Sequence, residues 1–234
     1  MFSIPFLDSR SVPLMFKAGL AVATAFLVIS NLNLPVQPVL NSPLSAAFGI
    51  AREAAIGLII GLATQLFFAG IQLAGQIDGF QMGFAIANVV DPASSLQVPI
   101  LAQFFNIFAM LVFLGLNIHL YFIKAMADAF VLIPLWGGQF DGNLFQLMVK
   151  LAANSFVIAV KVGAPVMVAM LLTSVALGLM ARTVPQMQIF IVAMPIQIIL
   201  GTLFLMVSLP YLSNYLQGAF AVLGRTIEGL IRMF

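Results

Sequence analysis

Five long stretches of the chain contain no Asp, Glu, Lys or Arg and are dominated by apolar residues. These stretches are residues 18–51, 54–77, 92–123, 162–181 and 183–224. A helix needs about 20 apolar residues to cross the hydrocarbon core of a bilayer, so each stretch is long enough for at least one crossing. Their apolar residues are continuous rather than alternating, which argues against a membrane-spanning β-barrel. The pattern predicts five to seven membrane-embedded helices, several of them broken.

Proline, glycine and small polar residues mark where these helices break. The breaks are a turn-rich connector around residues 33–43, a helix-breaking segment at Asp91–Ser95, a loop at Gly137–Asn143 and a tight turn at Arg182–Gln186. Between the first two breaks, the pattern predicts a helix from about Ser45 to Ile77. Because the tight turn separates two very apolar stretches, residues 144–217 predict a helical hairpin.

The amino-acid composition excludes most other classes of protein. Of the 234 residues, 63% are hydrophobic and 7% are charged, whereas a soluble globular domain carries about 25% charged residues. The chain is therefore not a soluble enzyme, and it has too much apolar surface to remain disordered. It has no cysteine, which excludes disulfides and thiolate metal sites. The predicted fold class is an all-α polytopic membrane protein with broken helices and a C-terminal helical hairpin.

The charge balance adds little to this picture. The net charge of +2 is too small to indicate nucleic-acid binding. By the positive-inside rule, Arg182 would place the hairpin turn in the cytoplasm, whereas Arg225 and Arg232 favour the opposite polarity. The sequence therefore leaves the membrane orientation open.

Residues that could support catalysis are scarce. The only histidine, His119, lies in an apolar stretch, where a hydrogen-bonded structural histidine is more common than a metal ligand or a proton relay. The sequence contains no zinc-protease, hydrolase or nucleotide-binding motif. It predicts neither an enzyme nor a metal or cofactor site.

Charged residues inside apolar stretches are costly unless they are paired or hydrated. Lys124 and Asp128 lie four residues apart, so they share a helix face and can pair with each other. Asp78 lies between two apolar stretches beside Gly75 and Gly79. We expect Asp78 either to line an aqueous path or to hold a structural position at a helix boundary.

Glycines four residues apart allow two helices to approach closely. The pairs Gly57/Gly61 and Gly79/Gly83 have this spacing, which is also common by chance in apolar sequence. These four glycines are candidate positions for close helix packing.

The segment 87–99 (ANVVDPASSLQVP) is the most informative break, because it is polar and non-helical yet lies between two apolar helices. Irregular backbone survives at membrane depth only where protein or a water-filled cavity surrounds it. The segment is therefore either a loop that lines or blocks a pore, or an ordinary connector outside the membrane. The pattern alone does not favour one over the other.

A set of motifs in a fixed order runs along nearly the whole chain. The first are SRSVP at 9–13, GQIDGFQMGFA at 75–85 running into VDPAS at 90–94, and NIHL at 117–120 followed by Pro134. The closing stretch carries Ala164-Pro165, Ala176–Leu179, Arg182, Pro185-Gln186, Phe190, Pro195 and Gly201. Together these motifs resemble the FliR family of flagellar type III export gates, with Ile118 where the family usually has glycine. The Asp-Pro-Ala-Ser motif favours a flagellar member over the related injectisome subunits.

The resemblance implies a subunit of the flagellar export gate in the bacterial inner membrane, at the flagellar basal body. Its partners would be FliP-type and FliQ-type subunits, which together form the channel for unfolded flagellar proteins, beside FlhB- and FlhA-type export components. Other subunits or membrane lipid would cover its apolar helices. Residues 1–143 would be similar to FliP and include a plug at about 87–103, and residues 144–234 would be a FliQ-like helical hairpin and tail.

The resemblance also assigns candidate functional positions. The plug would consist of Val89, Val90, Asp91, Pro92, Ala93, Ser94, Ser95 and Leu96. The approach to the pore, with close helix packing, would involve Asp78, Gly79, Met82, Gly83 and Phe84. The hairpin tip, which would contact a partner on the cytoplasmic side, would involve Arg182, Pro185 and Gln186. No catalytic residue, metal ligand or cofactor is implied.

A second hypothesis is a self-contained secondary transporter of a small solute that uses Asp78, Lys124 and Asp128 as a coupling site. Such a transporter predicts an internal inverted repeat with paired broken helices. The sequence shows one clear break and no repeat, which favours the export gate.

Overall fold

Helices account for almost every residue that the computed structural model describes, namely residues 13–31, 43–84, 99–133, 142–183 and 189–234. No β-strand occurs within these ranges. The helices are α1 (Leu14–Asn31), α2 (Pro43–Gln81), α3 (Ile100–Gly115), α4 (Ile118–Leu132), α5 (Gly142–Thr183) and α6 (Ile189–Ile231). The predicted all-α fold class is confirmed.

Several of the described helices are long and apolar enough to cross a membrane. They are α2, the part Leu144–Thr183 of α5 and the part Val192–Ile231 of α6. The pair α3 and α4 is also long and apolar enough, as a broken span or a re-entrant loop, and the two helices meet at a bend of 69°. Asn117 lies at this bend with a left-handed backbone (φ 56°), which asparagine tolerates better than most residues. The prediction of broken helices is therefore confirmed here.

The helix ends differ slightly from those predicted from sequence. Helix α2 extends beyond the predicted Ser45–Ile77 at both ends, and the last two residues of the predicted loop Gly137–Asn143 belong to α5. Three prolines lie inside the long helices: Pro165 in α5, and Pro195 and Pro210 in α6. Proline is tolerated inside apolar membrane helices, because neighbouring groups can satisfy the carbonyls that it leaves free.

The chain divides into two compact units. Unit 1 comprises residues 1–67, 113–153 and 219–234, and unit 2 comprises residues 68–112 and 154–218. Helices α2, α3, α5 and α6 contribute to both units. The described residues of each unit have their own buried core.

The core of unit 1 is aromatic. The ring of Phe220 lies 4.9 Å from that of Phe67 and 5.5 Å from that of Phe113, which in turn lies 5.7 Å from Phe122 (centroid distances). These distances are typical of favourable aromatic pairs. The four rings come from α2, α3, α4 and α6, so they hold four helices together.

Unit 1 also contains an apolar cavity of about 130 Å³ between α2, α4 and α6. Gly57 and Gly61 form part of its wall on α2, opposite residues such as Ala125 and Ile227. A Cβ atom placed on Gly57 would have no neighbour within 4 Å. Unit 1 therefore leaves open space at one of its two predicted packing glycines.

Unit 2 is closed by much tighter contacts between helices. A Cβ atom on Gly70 would lie 2.5 Å from the carbonyl oxygen of Ser155 in α5, and one on Gly75 would lie 2.6 Å from the Cα atom of Ala102 in α3. Real Cβ atoms do not come this close to backbone. Glycine at these two positions is what allows α2 to approach α5 and α3.

A hydrogen bond in unit 2 joins α6 to a backbone carbonyl of α5. Pro165 has no N–H group, so it cannot donate the helical hydrogen bond to the carbonyl four residues earlier, at Lys161. The Tyr211 hydroxyl on α6 donates a hydrogen bond of 3.3 Å to this same carbonyl. The carbonyl left free by a proline in one helix is thus satisfied by the next helix.

Candidate functional site

The residues predicted for the approach to a pore lie in the last turn of α2 (Asp78 and Gly79) and in the turn that follows it (Met82, Gly83 and Phe84), in unit 2. Asp78, Gly79 and Met82 are buried, and Gly83 and Phe84 are half-buried. The structure therefore brings these five residues together on one short segment. Their role in a pore stays a prediction.

Gly83 fixes where α2 ends. Its backbone has a positive φ of 85°, which glycine adopts without the strain that a side chain would cause. The Phe84 N–H donates to the Gly79 carbonyl at 3.0 Å, and the Gly83 N–H donates to the Phe80 carbonyl at 3.2 Å. This pair of hydrogen bonds is a Schellman motif, the common glycine-based end of a helix.

Met82 packs against α6 at Gly201, where the lack of a side chain leaves room for it. A Cβ atom on Gly201 would lie 2.5 Å from Met82 Cγ and 2.6 Å from its Cε. Met82 has no exposed surface in this conformation. The last turn of α2 is thus anchored in the core of unit 2 by a long, adaptable side chain.

The end of α2 also packs against the start of α3. Besides the contact at Gly75, a Cβ atom on Gly79 would lie 3.5 Å from Leu101 Cβ, an ordinary van der Waals distance. Gln72 on α2 donates a side-chain hydrogen bond of 3.3 Å to Asn106 on α3. Residues 85–98 therefore lie in the chain between two helices, α2 and α3, that pack together.

Asp78 is the buried charged residue of unit 2, and its carboxylate packs directly on α5. It has no exposed surface, and within the described parts of the chain neither carboxylate oxygen has a hydrogen-bond partner. A Cβ atom on Gly163 would lie 3.0 Å from Oδ1 and 3.2 Å from Oδ2. In this conformation the carboxylate therefore faces the backbone of α5 and not an aqueous path.

Other buried polar side chains of unit 2 are satisfied by their own helix. The Thr173 hydroxyl donates to the Ala169 carbonyl at 2.8 Å, and the Ser208 hydroxyl donates to the Leu205 carbonyl at 2.8 Å. Among the residues that the structure describes, Asp78 has no comparable hydrogen-bond partner. It is thus an exception to the rule that buried polar groups are hydrogen-bonded.

The other predicted site residues fall partly outside the described ranges. Arg182 lies in the last turn of α5 and is exposed, where a positive charge interacts favourably with the helix dipole. Pro185 and Gln186 lie outside the described residues, as do all eight plug residues from Val89 to Leu96. Their assignments stay predictions.

The remaining charged and titratable candidates belong to α4 in unit 1. Lys124 and Asp128 are both exposed, whereas Asp78 lies in unit 2. His119 was predicted to be a hydrogen-bonded structural residue, but its buried Nδ1 has no partner in the described residues. Tyr121, also on α4, donates a hydrogen bond to the Glu228 carboxylate on α6.

The contacts at this site are close packing contacts between helices. Across the described ranges, no group of three or more His, Asp or Glu side chains is placed to hold a metal ion. The sequence does not indicate that Gly163 and Gly201 provide the close contacts for Asp78 and Met82. Gly163 directly precedes the Ala164-Pro165 motif, and Gly201 belongs to the closing stretch of family motifs. No spacing in the sequence pairs either glycine with α2.

The sequence of this polytopic all-α membrane protein matches a known protein family. The family described as "Bacterial export proteins, family 1" matches residues 1–223, and the chain belongs to it. The chain is 31% identical to the flagellar biosynthetic protein FliR of Escherichia coli K12, over 97% of this chain and 86% of that protein. It is also 31% identical to FliR of Bacillus subtilis 168, over 99% of this chain and 90% of the relative. FliR of Aquifex aeolicus VF5 is 28% identical over 100% of this chain, so the resemblance to the FliR family is confirmed.

Proposed function

We propose that this chain is a non-enzymatic subunit of the flagellar type III secretion export gate. With FliP-type and FliQ-type subunits it forms the inner-membrane channel for unfolded flagellar proteins, at the flagellar basal body and beside FlhB- and FlhA-type components. Membership of the export family and the names of the FliR relatives support the flagellar part of this proposal. The partnership rests on one observation, the uncovered apolar surface of α6.

Helix α6 exposes apolar side chains over a length that one bilayer cannot cover. Its charge-free part, from Ile189 to Gly224, is about 54 Å long at 1.5 Å per residue, whereas the hydrocarbon core is about 30 Å thick. A tilt of about 55° would be needed to fit it, beyond the usual range of about 0–40°. Only 11% of the most apolar window of Val192–Ile231 is buried inside the chain. Apolar helices of other subunits therefore cover part of α6.

The plug is the segment Val89–Leu96. It connects α2 and α3, whose ends pack together through Gly75 and Gly79. The Schellman motif at Gly83 ends α2 by backbone hydrogen bonds, six residues before the proposed plug begins at Val89. Arg182 at the end of α5 belongs to the hairpin tip that contacts a partner on the cytoplasmic side.

Cysteine cross-linking in the native host tests the partnership. The chain has no cysteine, so a single introduced thiol reports on one position. Val207 on α6 is 70% exposed and Leu212 is 1% exposed. We expect Val207→Cys, labelled with a benzophenone maleimide, to form cross-links to a FliP-type or FliQ-type subunit on irradiation, because the excited ketone inserts into C–H bonds of whatever lies against it, and Leu212→Cys to form none. A Val207 thiol that reacts only with a lipid-soluble reagent, in fully assembled basal bodies, would contradict the proposal.

Deleting residues 89–96 tests the plug. We expect the deletion to make the assembled gate leak ions and small solutes, measured as the loss of membrane potential in cells or as ion flux in vesicles. A deletion of Gly137–Phe140 in the other predicted loop is the matched control and should leave the membrane tight. Unchanged permeability after the first deletion, with normal assembly by native mass spectrometry, would refute the plug assignment while leaving the partnership intact.

A further inference from the structure

We propose that Asp78 is a proton-binding site that couples the packing of α2 on α5 to protonation. The carboxyl group holds a proton while the two helices are packed as described, and it releases this proton when they separate. The proposal rests on contacts within this chain and does not depend on the identity of any partner.

The first step of the argument is the isolation of the carboxyl group. Asp78 is completely buried, and neither oxygen has a hydrogen-bond partner among the described residues. An ionised carboxylate without a partner is among the most costly groups to bury, and in proteins it takes up a proton instead. The packed conformation therefore selects the neutral acid.

The second step is the absence of a nearby cation. Within the described residues of unit 2, the other charged side chains are Lys161 and Arg182, both on α5 and both exposed. Lys161 is two residues from Gly163, so it points to nearly the opposite side of α5 from the Asp78 contact. The described unit 2 parts of α3 and α6 carry no charged residue, and the Tyr211 hydroxyl is directed to the Lys161 carbonyl.

The third step is the fit between the carboxyl group and Gly163. A Cβ atom at Gly163 would contact both oxygens, at 3.0 and 3.2 Å. A cation from another chain therefore cannot reach Asp78 while α2 and α5 are in contact. Water or a cation gains access only when the helices move apart, and ionisation then becomes favourable.

The sign of the resulting pH dependence follows directly. Because the packed state binds one more proton than the separated state, low pH stabilises packing and rising pH favours separation. The equilibrium changes by up to about tenfold per pH unit over the range where this proton is released. Asp78→Asn has nearly the same shape and cannot ionise, so it should remove the dependence.

Thiol accessibility in the full chain, in its native membrane assembly, provides the test. Val166→Cys places a reporter on the buried face of α5, three residues after Gly163, and Ser174→Cys places an exposed reference on the same helix. Dividing the maleimide labelling rate of the first by that of the second cancels the intrinsic pH dependence of a thiol. We expect this ratio to rise by about tenfold or more between pH 5 and pH 9 with Asp78, and by less than about twofold with Asp78→Asn.

Equal ratios in the two backgrounds at every pH would overturn the proposal. The thermal midpoint of the assembly gives a second readout that does not require labelling. With Asp78 the midpoint should fall as the pH rises, relative to Asp78→Asn, and parallel pH profiles would also overturn the proposal. Failure of either measurement leaves the assignments of the plug and of the covered α6 surface untouched, because those are tested by permeability and cross-linking.

Discussion

Units 1 and 2 use the same helices but are held together in different ways. Unit 1 has a core of four phenylalanine rings, a side-chain hydrogen bond between Tyr121 and Glu228, and an apolar cavity beside Gly57. In unit 2, glycines bring helix backbones close together, and Asp78 is buried among them with no hydrogen-bond partner in the described part of the chain.

This contrast shows how α2 can serve two purposes along its length. Large side chains fill space between more widely separated helices, and small changes in their rotamers can be absorbed by the cavity. Glycine contacts bring backbones so close that there is little room to adjust. The part of α2 in unit 2, which leads to the proposed plug, is therefore the part whose position is set most narrowly.

The largest expected effect is the loss of the aromatic core in unit 1. Phe220→Ala removes a ring that contacts both Phe67 and Phe113, so we expect a loss of about 3–5 kcal/mol of stability. The measurement is the thermal midpoint of the purified assembly together with its abundance in the membrane. The control is Phe145→Ala, because Phe145 is 73% exposed and its truncation should change the midpoint little. Similar losses for both variants would mean that the rings are not the basis of unit 1.

A smaller effect distinguishes the two units on a single helix. Gly75→Ala places a methyl group against the backbone of α3, and we expect a loss of about 1–3 kcal/mol from overpacking. Gly57→Ala adds the same methyl group beside the cavity, where the methyl group meets nothing within 4 Å. Because alanine has a better helix propensity than glycine, this variant should be more stable than the original protein by about 0.5–1 kcal/mol. Thermal midpoints of the two variants should move in opposite directions. Midpoint shifts of the same sign would contradict the difference in helix packing between the two units.

The smallest expected effect concerns the hydrogen bond to the free carbonyl in unit 2. Tyr211→Phe leaves the Lys161 carbonyl without its donor from α6, which should cost about 1 kcal/mol. In a Pro165→Ala background the helix regains its own N–H donor to this carbonyl, so Tyr211→Phe should then have a smaller effect. The double-mutant cycle is read from the thermal midpoints of the four proteins. An equal cost in both backgrounds would contradict the link between Pro165 and Tyr211.

The helices themselves could be predicted from the sequence because a membrane imposes a simple rule on them. Stretches without charge that are at least 20 residues long have few alternatives to being helical, and α2, α5 and α6 each contain most or all of one such stretch and extend beyond it at one or both ends. The bend between α3 and α4 at Asn117 is not among the breaks that the sequence predicts, because it lies inside the charge-free stretch 92–123 and depends on one left-handed residue. The family motifs then predicted the export family, which the comparisons confirm.

The contacts between helices could not be predicted in the same way. The glycine spacing indicated Gly57, where space is open, and Gly79, where the contact is ordinary, whereas the tightest contacts are at Gly70, Gly75 and Gly201. Each of these depends on a residue far away in the sequence, so local spacing carries no information about it. A proline in the sequence also does not show whether a membrane helix ends there. Pro165 lies within α5, although proline usually ends helices in soluble proteins.

The exposed apolar face of α6 also bears on how a cell makes and keeps this chain. A copy synthesised without partners would present that face to water at one or both ends of the helix, where membrane chaperones and proteases recognise it. Marginal, incompletely assembled proteins are continuously removed by such quality control. Under the proposed function, the cellular amount of the chain should follow the supply of the proposed partner subunits more closely than its own rate of synthesis.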